Sequence, residues 1–196
     1  MAKTAFVIAA VAALLATGGC NKSGTSAQTS EASKVAGTKT IATGLPANGK
    51  FVAAAKAAGL DQTLAGPGPY TVLVPDDAAF AAAAPGSLDA SPGNRAALTG
   101  MITNLILPGT VLAADIDRAI DNGKGKDVIA TMGGGTLTAT KDGGKTVLTD
   151  SSGHKATITQ ADEMYSNGVV HHIDGVLMPS KQAAANAPAP GKPVGQ

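Results

Sequence analysis

The chain has 196 residues, of which 44% are hydrophobic and 15% charged, with one cysteine, three histidines and a formal net charge of +1. That length suits one domain with short extensions, and a lone cysteine excludes both an intramolecular disulfide framework and the usual Cys/His ligand sets of structural zinc. Near-neutral charge and an absence of tryptophan argue against nucleic acid as a partner, because neither phosphate attraction nor base stacking is provided for.

The first twenty residues are typical of an export signal. Lys3 is the only charge among them, residues 5–16 are an unbroken apolar run, and small residues lead to Cys20. A basic start, a short apolar stretch and a small-residue cleavage site are the parts of a signal peptide. The apolar run is too short to span a hydrocarbon core about 30 Å thick. We therefore predict that residues 1–19 are removed as a signal peptide.

The segment that ends at Cys20 resembles the lipobox of bacterial lipoproteins, although Thr17 stands where strict lipoboxes have Leu. The resemblance implies that Cys20 is the lipidated first residue of the mature chain and anchors it to the cell envelope. Each buried methylene of an acyl chain contributes about 0.8 kcal/mol to such anchoring. In such lipoproteins an Asp after the cysteine retains the protein at the inner membrane. Asn21 stands at that position here, which favours the outer membrane. The alternative is a free cysteine in an uncleaved leader.

Two stretches of biased composition flank the predicted domain. Residues 20–37 are mostly Ser, Thr, Ala and Gly and bury too little surface to offset the entropy of ordering, so they are predicted to form a flexible tether. Residues 181–196 are rich in Pro and Ala and are predicted to be a disordered tail. The remaining residues, 38–180, are enough for one hydrophobic core.

The first part of this domain is predicted to contain a helix, a strand and a second helix. Apolar residues at helical spacing indicate a helix over 48–58, and a Gly-Pro-rich turn then leads into a buried strand at 70–74. Asp76 follows Pro75 and precedes an Ala-rich run. It is predicted to cap a short helix by accepting amide hydrogen bonds with its carboxylate.

Two more helices and a run of strands are predicted next. Ser91 is the expected cap of a helix that continues to a break at 108–109, and another helix covers 113–121. Beyond it the apolar period changes from helical to two, which indicates hairpins. The predicted strands are 127–132, 136–140, 145–149, 155–159 and 168–178. One early strand followed by helices and then consecutive strands is an α+β layout.

Three stretches together resemble the fasciclin domain. Residues 66–80, GPGPYTVLVPDDAAF, are similar to the family's strand, turn and helix block, and residues 166–179, SNGVVHHIDGVLMP, to its carboxy-terminal block. Residues 98–111 fit the helix before a Leu-Pro-Gly turn, but Asn104 and Leu105 stand where many members carry Tyr-His. The resemblance implies a single α+β domain, a two-sheet β-wedge of short strands flanked by several helices. It also implies adhesion or ligand binding outside the cell.

The resemblance also implies which residues maintain the domain. These structural residues are Tyr70, Pro75, Asp76, Phe80, Asn167, Gly168, His171, Asp174 and Pro179. For a binding face we expect the helix end and turn that contain Asn104, Leu105, Pro108 and Gly109. Binding that depends on the Tyr-His pair is not carried over, because this chain has neither side chain there.

Adjacent histidines at 171 and 172 lie on one predicted strand, so their side chains point to opposite faces and do not bind one metal ion. We expect His171 to be a core imidazole that links a strand to a helix, and His172 to be exposed. The neighbouring carboxylates of Asp76 and Asp77 are better explained by a helix start than by acid-base catalysis. No metal site and no cofactor is predicted.

The sequence carries no G-x-S-x-G elbow, metalloprotease helix or phosphate-binding loop, so we predict that the protein is not an enzyme. We expect a lipoprotein whose domain binds an unknown protein or glycan near the membrane, without nucleic acid. One alternative is a carrier of a small apolar ligand, in a cavity above about 300 Å³. That cavity would be lined by Leu64, Leu98, Ile102 and Ile106. Another is a hydrolase that uses His171.

Overall fold

The structure is a computed structural model that describes residues 37–83 and 92–179. The predicted leader, Cys20, the tether up to residue 36, Ser91 and the tail lie outside these residues. The α-helices are α1 (Ile41–Gly44), α2 (Lys50–Ala58), α3 (Asp61–Ala65), α4 (Asp77–Ala82), α5 (Arg95–Asn104) and α6 (Ala113–Asn122), and a 3-10 turn at Pro92–Asn94 precedes α5. The strands are β1 (Tyr70–Pro75), β2 (Ile106–Pro108), β3 (Lys126–Ala130), β4 (Thr136–Asp142), β5 (Lys145–Thr149), β6 (Lys155–Tyr165) and β7 (Gly168–Ile173).

Helix α2 confirms the helix predicted over 48–58. Phe51, Val52 and Ala55 are buried on its inner face. The helix ends where Gly59 takes the left-handed conformation at φ 77° and its N–H donates to the carbonyls of the last turn. A Cβ is disfavoured at that φ, so the glycine sets the end of the helix.

The predicted capping role of Asp76 is wrong. Asp76 lies at the N-cap position of α4, but its side chain makes no capping hydrogen bond. The turn is fixed by the backbone instead, since the N–H of Asp76 donates to the carbonyl of Ile173 at 3.0 Å. The next carboxylate, of Asp77, accepts the N–H of Lys50 at 2.9 Å and so satisfies the first turn of α2.

Helix α5 ends before the predicted break at 108–109. Leu98, Met101 and Ile102 are buried as the helical spacing predicts, but the chain turns at Leu105. The carbonyl of Leu105 accepts the N–H of Leu73 at 2.8 Å, and β2 then pairs antiparallel with β1. Pairing to an edge of the sheet therefore overrides the helical pattern of this segment.

The strands form one sheet in the order β2-β1-β7-β6-β5-β4-β3. Strands β3 to β7 follow one another as an antiparallel meander, which confirms the predicted hairpins, while β1 lies parallel to β7. The pairs Tyr70 with Gly168 and Pro75 with Ile173 mark the two ends of that parallel contact. Strand β6 runs on to Tyr165, well past the predicted limit of 159.

The expected two-sheet wedge is not what the structure has, because the sheet curves into a barrel-like form. Register shifts in β6 between Ile158 and Glu163 bend the sheet, as bulges do. Its two edges then meet where the N–H of Met132 donates to the carbonyl of Ile106 at 2.8 Å. The α+β class is confirmed, and the wedge of two sheets is replaced by one curved sheet.

Candidate functional site

Asn167 joins three segments at one end of the sheet. Its Oδ1 accepts the N–H of Ile41 at 2.9 Å, and its Nδ2 donates to the carbonyls of Leu64 and Gly66 at 2.8 and 2.9 Å. The residue is 8% exposed. Because each polar atom of this buried side chain has a partner, Asn167 is committed to the fold rather than to a ligand.

The turn between β6 and β7 consists of Ser166 and Asn167, and Gly168 is already the first residue of β7. A Cβ on Gly168 would lie 2.0 Å from the carbonyl oxygen of Tyr70 on β1. The glycine therefore allows the close approach of the parallel strands at this end.

His171 is fully buried on β7, and both of its ring nitrogens are hydrogen-bonded. Nδ1 accepts the N–H of Asp162 at 3.1 Å, so Nε2 carries the proton that it donates to the carbonyl of Val111 at 2.9 Å. Burial lowers the pKa of His171, which keeps the ring neutral. The imidazole ties β7 to the bulge of β6 and to the loop before α6, and no nitrogen remains to take a proton from a substrate.

Asp162 is a residue of this network that the sequence did not single out. It lies in the bulge of β6 with φ 60°, a left-handed conformation that Asp tolerates better than most residues. Its Oδ1 accepts the N–H of Ala113 at 2.8 Å, at the first turn of α6. The carboxylate therefore positions α6 against the sheet, a role visible only once the bulge is known.

Glu163 connects an imidazole and a phenol on the other face of the same strands. Nε2 of His172 donates to Oε2 at 2.9 Å, and the hydroxyl of Tyr165 donates to Oε1 at 2.7 Å. Burial alone would raise the pKa of Glu163, but these two hydrogen bonds outweigh it, and the pKa is lowered. Burial, and then the neighbouring Glu163, raise the pKa of the Tyr165 hydroxyl. His172 is half-buried rather than exposed as expected.

A catalytic triad needs the imidazole between the acid and the nucleophile. Here the carboxylate of Glu163 lies in the middle, and the raised pKa of Tyr165 keeps its hydroxyl protonated. His172 therefore has no nucleophile to activate within this group.

The residues expected to form a binding face are divided by burial. Asn104 and Leu105 are 1% and 0% exposed, whereas Pro108 is exposed and Gly109 is half-buried. Oδ1 of Asn104 accepts the hydroxyl of Thr131 at 3.1 Å, inside the contact where the sheet edges meet. Only the turn at Pro108 and Gly109 therefore reaches the surface.

The other residues that the resemblance singled out are spread over the domain. Pro75 and Phe80 are buried, and Tyr70 and Pro179 are half-buried. The exposed Asp174 accepts the N–H of Thr157 with its Oδ1, which joins the chain after β7 to β6. The structure does not bring these side chains together in one site.

The surface has clefts at both ends of β7. One of about 410 Å³ lies beside Asn167 and has uncharged walls of proline, glycine and hydroxyl residues. Another of about 380 Å³ lies beside His154, whose Nδ1 is 2.8 Å from the buried carboxylate of Asp150. The third, the Asp76 cleft, has a volume of about 180 Å³. It combines an apolar floor of Phe51, Val52 and Val74 with a rim that includes Asp76, Asp77 and His172.

Neither a membrane-spanning helix nor a metal-binding cluster occurs in residues 37–83 and 92–179. No helix there has both the length and the apolar character needed to cross a bilayer. In the same residues no three His, Cys, Asp or Glu side chains lie in an arrangement that could hold a metal ion.

Comparison with known proteins gives the family. The profile described as Fasciclin domain matches residues 47–179, which is more than half of the chain. The chain belongs to the fasciclin family. A Synechocystis sp. protein, sll1483, is 34% identical over 141 residues, which are 71% of this chain and 71% of that protein.

Two further relatives link the fasciclin domain to larger proteins. Transforming growth factor-beta-induced protein ig-h3 of Sus scrofa is 31% identical over 127 residues, which are 65% of this chain but 17% of that protein. A FAS1 domain pair from the insect cell adhesion molecule Fasciclin I has a similar fold, with a TM-score of 0.62 at 14% identity. That match covers 76% of this chain and 53% of the solved one. Fasciclin domains are generally non-enzymatic adhesion modules, typically extracellular or secreted.

Proposed function

We propose that this protein is a lipoprotein of the bacterial cell envelope whose fasciclin domain binds another macromolecule and performs no catalysis. The observation that carries the proposal is a fasciclin-family domain preceded by a lipobox-like leader that ends at Cys20. The leader supports export and anchoring, with the outer membrane favoured over the inner one, and the family supports binding. Acyl chains on Cys20 hold the domain at a membrane, where it contacts a protein or glycan.

The chemistry of the buried polar groups supports binding over catalysis. Both nitrogens of His171 are taken by backbone groups, which removes the base that a hydrolase would need. The apolar-carrier alternative gains no support either. Leu64, Leu98, Ile102 and Ile106 are each at most 3% exposed in the core, and the three clefts described above are lined by other residues.

The position of the first described residues supports one orientation of the domain on its anchor. The carbonyl of Lys39 accepts the N–H of Ser166, so the chain enters the domain at the Asn167 end of β6 and β7. Strand β6 has 11 residues, so its other end lies about 30 Å away at a rise near 3.3 Å per residue. The Lys155 end of the sheet then faces away from the membrane.

The test is the fate of Cys20 in the full chain. We expect mass spectrometry of the membrane fraction to find an acylated amino-terminal Cys20. We expect Cys20→Ser to move the protein to the soluble exported fraction without changing its circular dichroism. The membrane-bound wild type is cross-linked to its partner, and separate samples are then digested with a protease or a glycosidase. The enzyme that degrades the cross-linked partner identifies it as protein or glycan. Recovery of soluble wild type with an intact leader contradicts the proposal.

A further inference from the structure

One edge of the sheet has no strand beside it. Strand β3 is the last in the strand order, and it pairs only with β4 within the part of the chain that the structure describes. The other edge strand, β2, is bonded just beyond β3, where the N–H of Met132 donates to the carbonyl of Ile106. Residues 126–130 therefore keep one open side, which we call the β3 edge.

The backbone groups of Val128 and Ala130 point away from β4. In an antiparallel pair, alternate residues bond to the neighbouring strand and the residues between them point outward. The N–H of Thr131 donates at 3.0 Å to the carbonyl of Gly135, which leads into β4, and the N–H of Met132 donates on the opposite side, to β2. The same alternation turns the N–H and C=O groups of Val128 and Ala130 outward, where no described strand receives them.

The outer face of this edge carries exposed apolar side chains. Val128 and Met132 are 59% and 47% exposed, and they are the large hydrophobic residues exposed to this degree within residues 37–83 and 92–179. Lys126 supplies the charge on that face of β3. Open backbone groups next to exposed apolar side chains form a template for the addition of another strand.

We propose that the β3 edge pairs antiparallel with the β3 edge of a second copy of this chain, so that the two sheets continue into each other. This contact goes beyond the proposed function and is separate from the partner named there. Val128 is the middle residue of β3. A two-fold axis beside it makes the N–H of each Val128 donate to the carbonyl of the other.

The charges of β3 support a second copy in this orientation. Antiparallel pairing about Val128 places Lys126 beside Ala130 of the second copy, so the two ammonium groups lie at opposite ends of the contact. Parallel pairing would place the two lysines side by side, which is unfavourable. The formal net charge of +1 adds little repulsion between copies.

The same arrangement covers the exposed apolar surface. The two Val128 side chains meet at the centre of the outer face, as directly opposed residues of an antiparallel pair do. The small side chain of Ala130 leaves room for the alkyl stem of Lys126 to pack over it while the ammonium group stays in water. The β3 edge is therefore complementary to itself in hydrogen bonds, charge and shape.

The contact is short, so we expect weak association in solution. Strand β3 has 5 residues. Two such strands bury well under the roughly 1,200 Å² at which stable interfaces begin. The dissociation constant should accordingly be on the order of 100 μM.

The first experiment is disulfide cross-linking of the full chain with Cys20→Ser, which removes the native thiol, and one new cysteine. Val128→Cys places its sulfur beside the two-fold axis, so we expect a disulfide-linked dimer after mild oxidation. Thr136→Cys is the matched control, because Thr136 is exposed opposite Ala130 but lies one strand inward. It should stay monomeric under the same conditions, and equal cross-linking of the two variants overturns the inference.

The second experiment is sedimentation equilibrium of the Cys20→Ser chain, from about 10 μM to about 1 mM. We expect the average mass to rise towards that of a dimer. Val128→Pro removes an outward N–H and spares the bonds to β4, so it should keep the circular dichroism of the folded chain and remain monomeric.

A charge variant tests the same contact without a change to the backbone. Val128→Lys brings two like charges together at the axis and should weaken association about tenfold or more. Gln160→Lys adds the same charge at an exposed position of β6 and should associate as the parent does. A parent that stays monomeric at every concentration, or a Val128→Lys variant that associates as strongly as the parent, overturns the inference.

Discussion

At the scale of single residues, the domain depends on a few buried side chains whose polar atoms are almost all satisfied. Asn167, His171 and Asp150 each bind backbone groups from distant segments. Each of these hydrogen bonds adds only modestly to the stability of the domain. Removing one partner costs more stability than the bond adds, because the remaining groups are then buried without hydrogen bonds.

Asn167→Ala should lower the free energy of unfolding by about 3 kcal/mol, because it removes three hydrogen bonds. The N–H of Ile41 and the carbonyls of Leu64 and Gly66 are then left without these partners. Urea denaturation of the full chain measures this loss. Asn167→Asp keeps the acceptor for Ile41 but places a carboxylate oxygen opposite the carbonyls of Leu64 and Gly66, so it should also destabilise. A wild-type midpoint in either variant contradicts the role given to Asn167.

His171 should make stability fall on acidification. Burial lowers its pKa in the folded state, so below about pH 6.5 the unfolded chain binds more protons and folding becomes less favourable. The contribution is therefore fully present above that pH and is lost as the pH drops towards the lowered folded value. His171→Gln should reduce the slope of unfolding free energy between pH 7 and 5, although it is less stable at pH 7. An unchanged slope contradicts the argument.

Asp150 makes a second contribution to stability that is lost in acid. Burial alone would raise the pKa of Asp150, but hydrogen bonds from the amides of Met178, His154 and Ser152 and from the His154 ring lower it. This stability is present above the unfolded pKa, about 3.9, and is lost as the pH falls below it. Asp150→Asn should cost about 2 kcal/mol at pH 7, because its NH₂ cannot accept the Met178 N–H. Denaturation at pH 7 and at pH 3 should show that the difference in unfolding free energy between the wild type and Asp150→Asn is smaller at pH 3.

Glu163 should control the titration of Tyr165. Burial and the carboxylate of Glu163 raise the pKa of Tyr165, so its phenol should resist ionisation at high pH. Glu163→Gln should lower the apparent pKa in an absorbance titration performed with Tyr70→Phe, which leaves Tyr165 as the sole tyrosine. Burial is the larger cause of the raised pKa of Tyr165, so this pKa should stay above its ordinary value in Glu163→Gln. A variant that titrates like the parent would show that the carboxylate has no influence.

At the scale of elements, the sequence predicted the helices and strands whose patterns are local. The spacing of Phe51, Val52 and Ala55 was enough for α2, and the paired Val, Leu and Thr runs were enough for β4 and β5. Elements decided by distant contacts were missed or misplaced. Strand β2 reads as the end of a helix because only pairing with β1 makes it a strand.

The same distinction explains the candidate site. Asp76 was predicted to cap α4 because an Asp after Pro is a common start of a helix. Its side chain makes no capping hydrogen bond, and the neighbouring Asp77 instead accepts the N–H of Lys50 in the first turn of α2. Glu163 and Asp162 gave no signal, since the bulges of β6 that aim their side chains depend on how the whole sheet bends. His171 could be assigned to the core from its apolar neighbours, yet its partners lie 9 and 60 residues away in the chain.

Gly123 offers an element-scale prediction at the turn between α6 and β3. Gly123 is the C-cap of α6 with φ −84°, a conformation open to any residue, but a Cβ there would lie 2.0 Å from the carbonyl oxygen of Lys126. Gly123→Ala should therefore destabilise the domain by about 2 kcal/mol or more in urea denaturation. Gly125→Ala has open space around its Cβ but φ 92°, so only backbone strain of about 1 kcal/mol is expected. Equal losses contradict the steric argument.

At the scale of the whole molecule, the proposed anchor and the entry point of the chain define a near end and a far end. In vesicles that carry the acylated full chain, a fluorophore on Ser166→Cys should be quenched by labelled lipid headgroups more strongly than one on Ser152→Cys. Ser166 lies at the entry end and Ser152 precedes Lys155 at the opposite end, and both are exposed. Equal quenching contradicts the orientation.

The entry of the chain beside Ser166 and Asn167 also determines how the domain carries mechanical load. Tension from an anchored tether would enter at the turn that joins β6 and β7, while a partner held at the far end would pull on the opposite termini of the same strands. The load then runs along the strands, and their interstrand hydrogen bonds lie across it and share it. Such a shear arrangement resists rupture better than one whose bonds open singly, so we expect this small domain to withstand pulling between a cell surface and its neighbour.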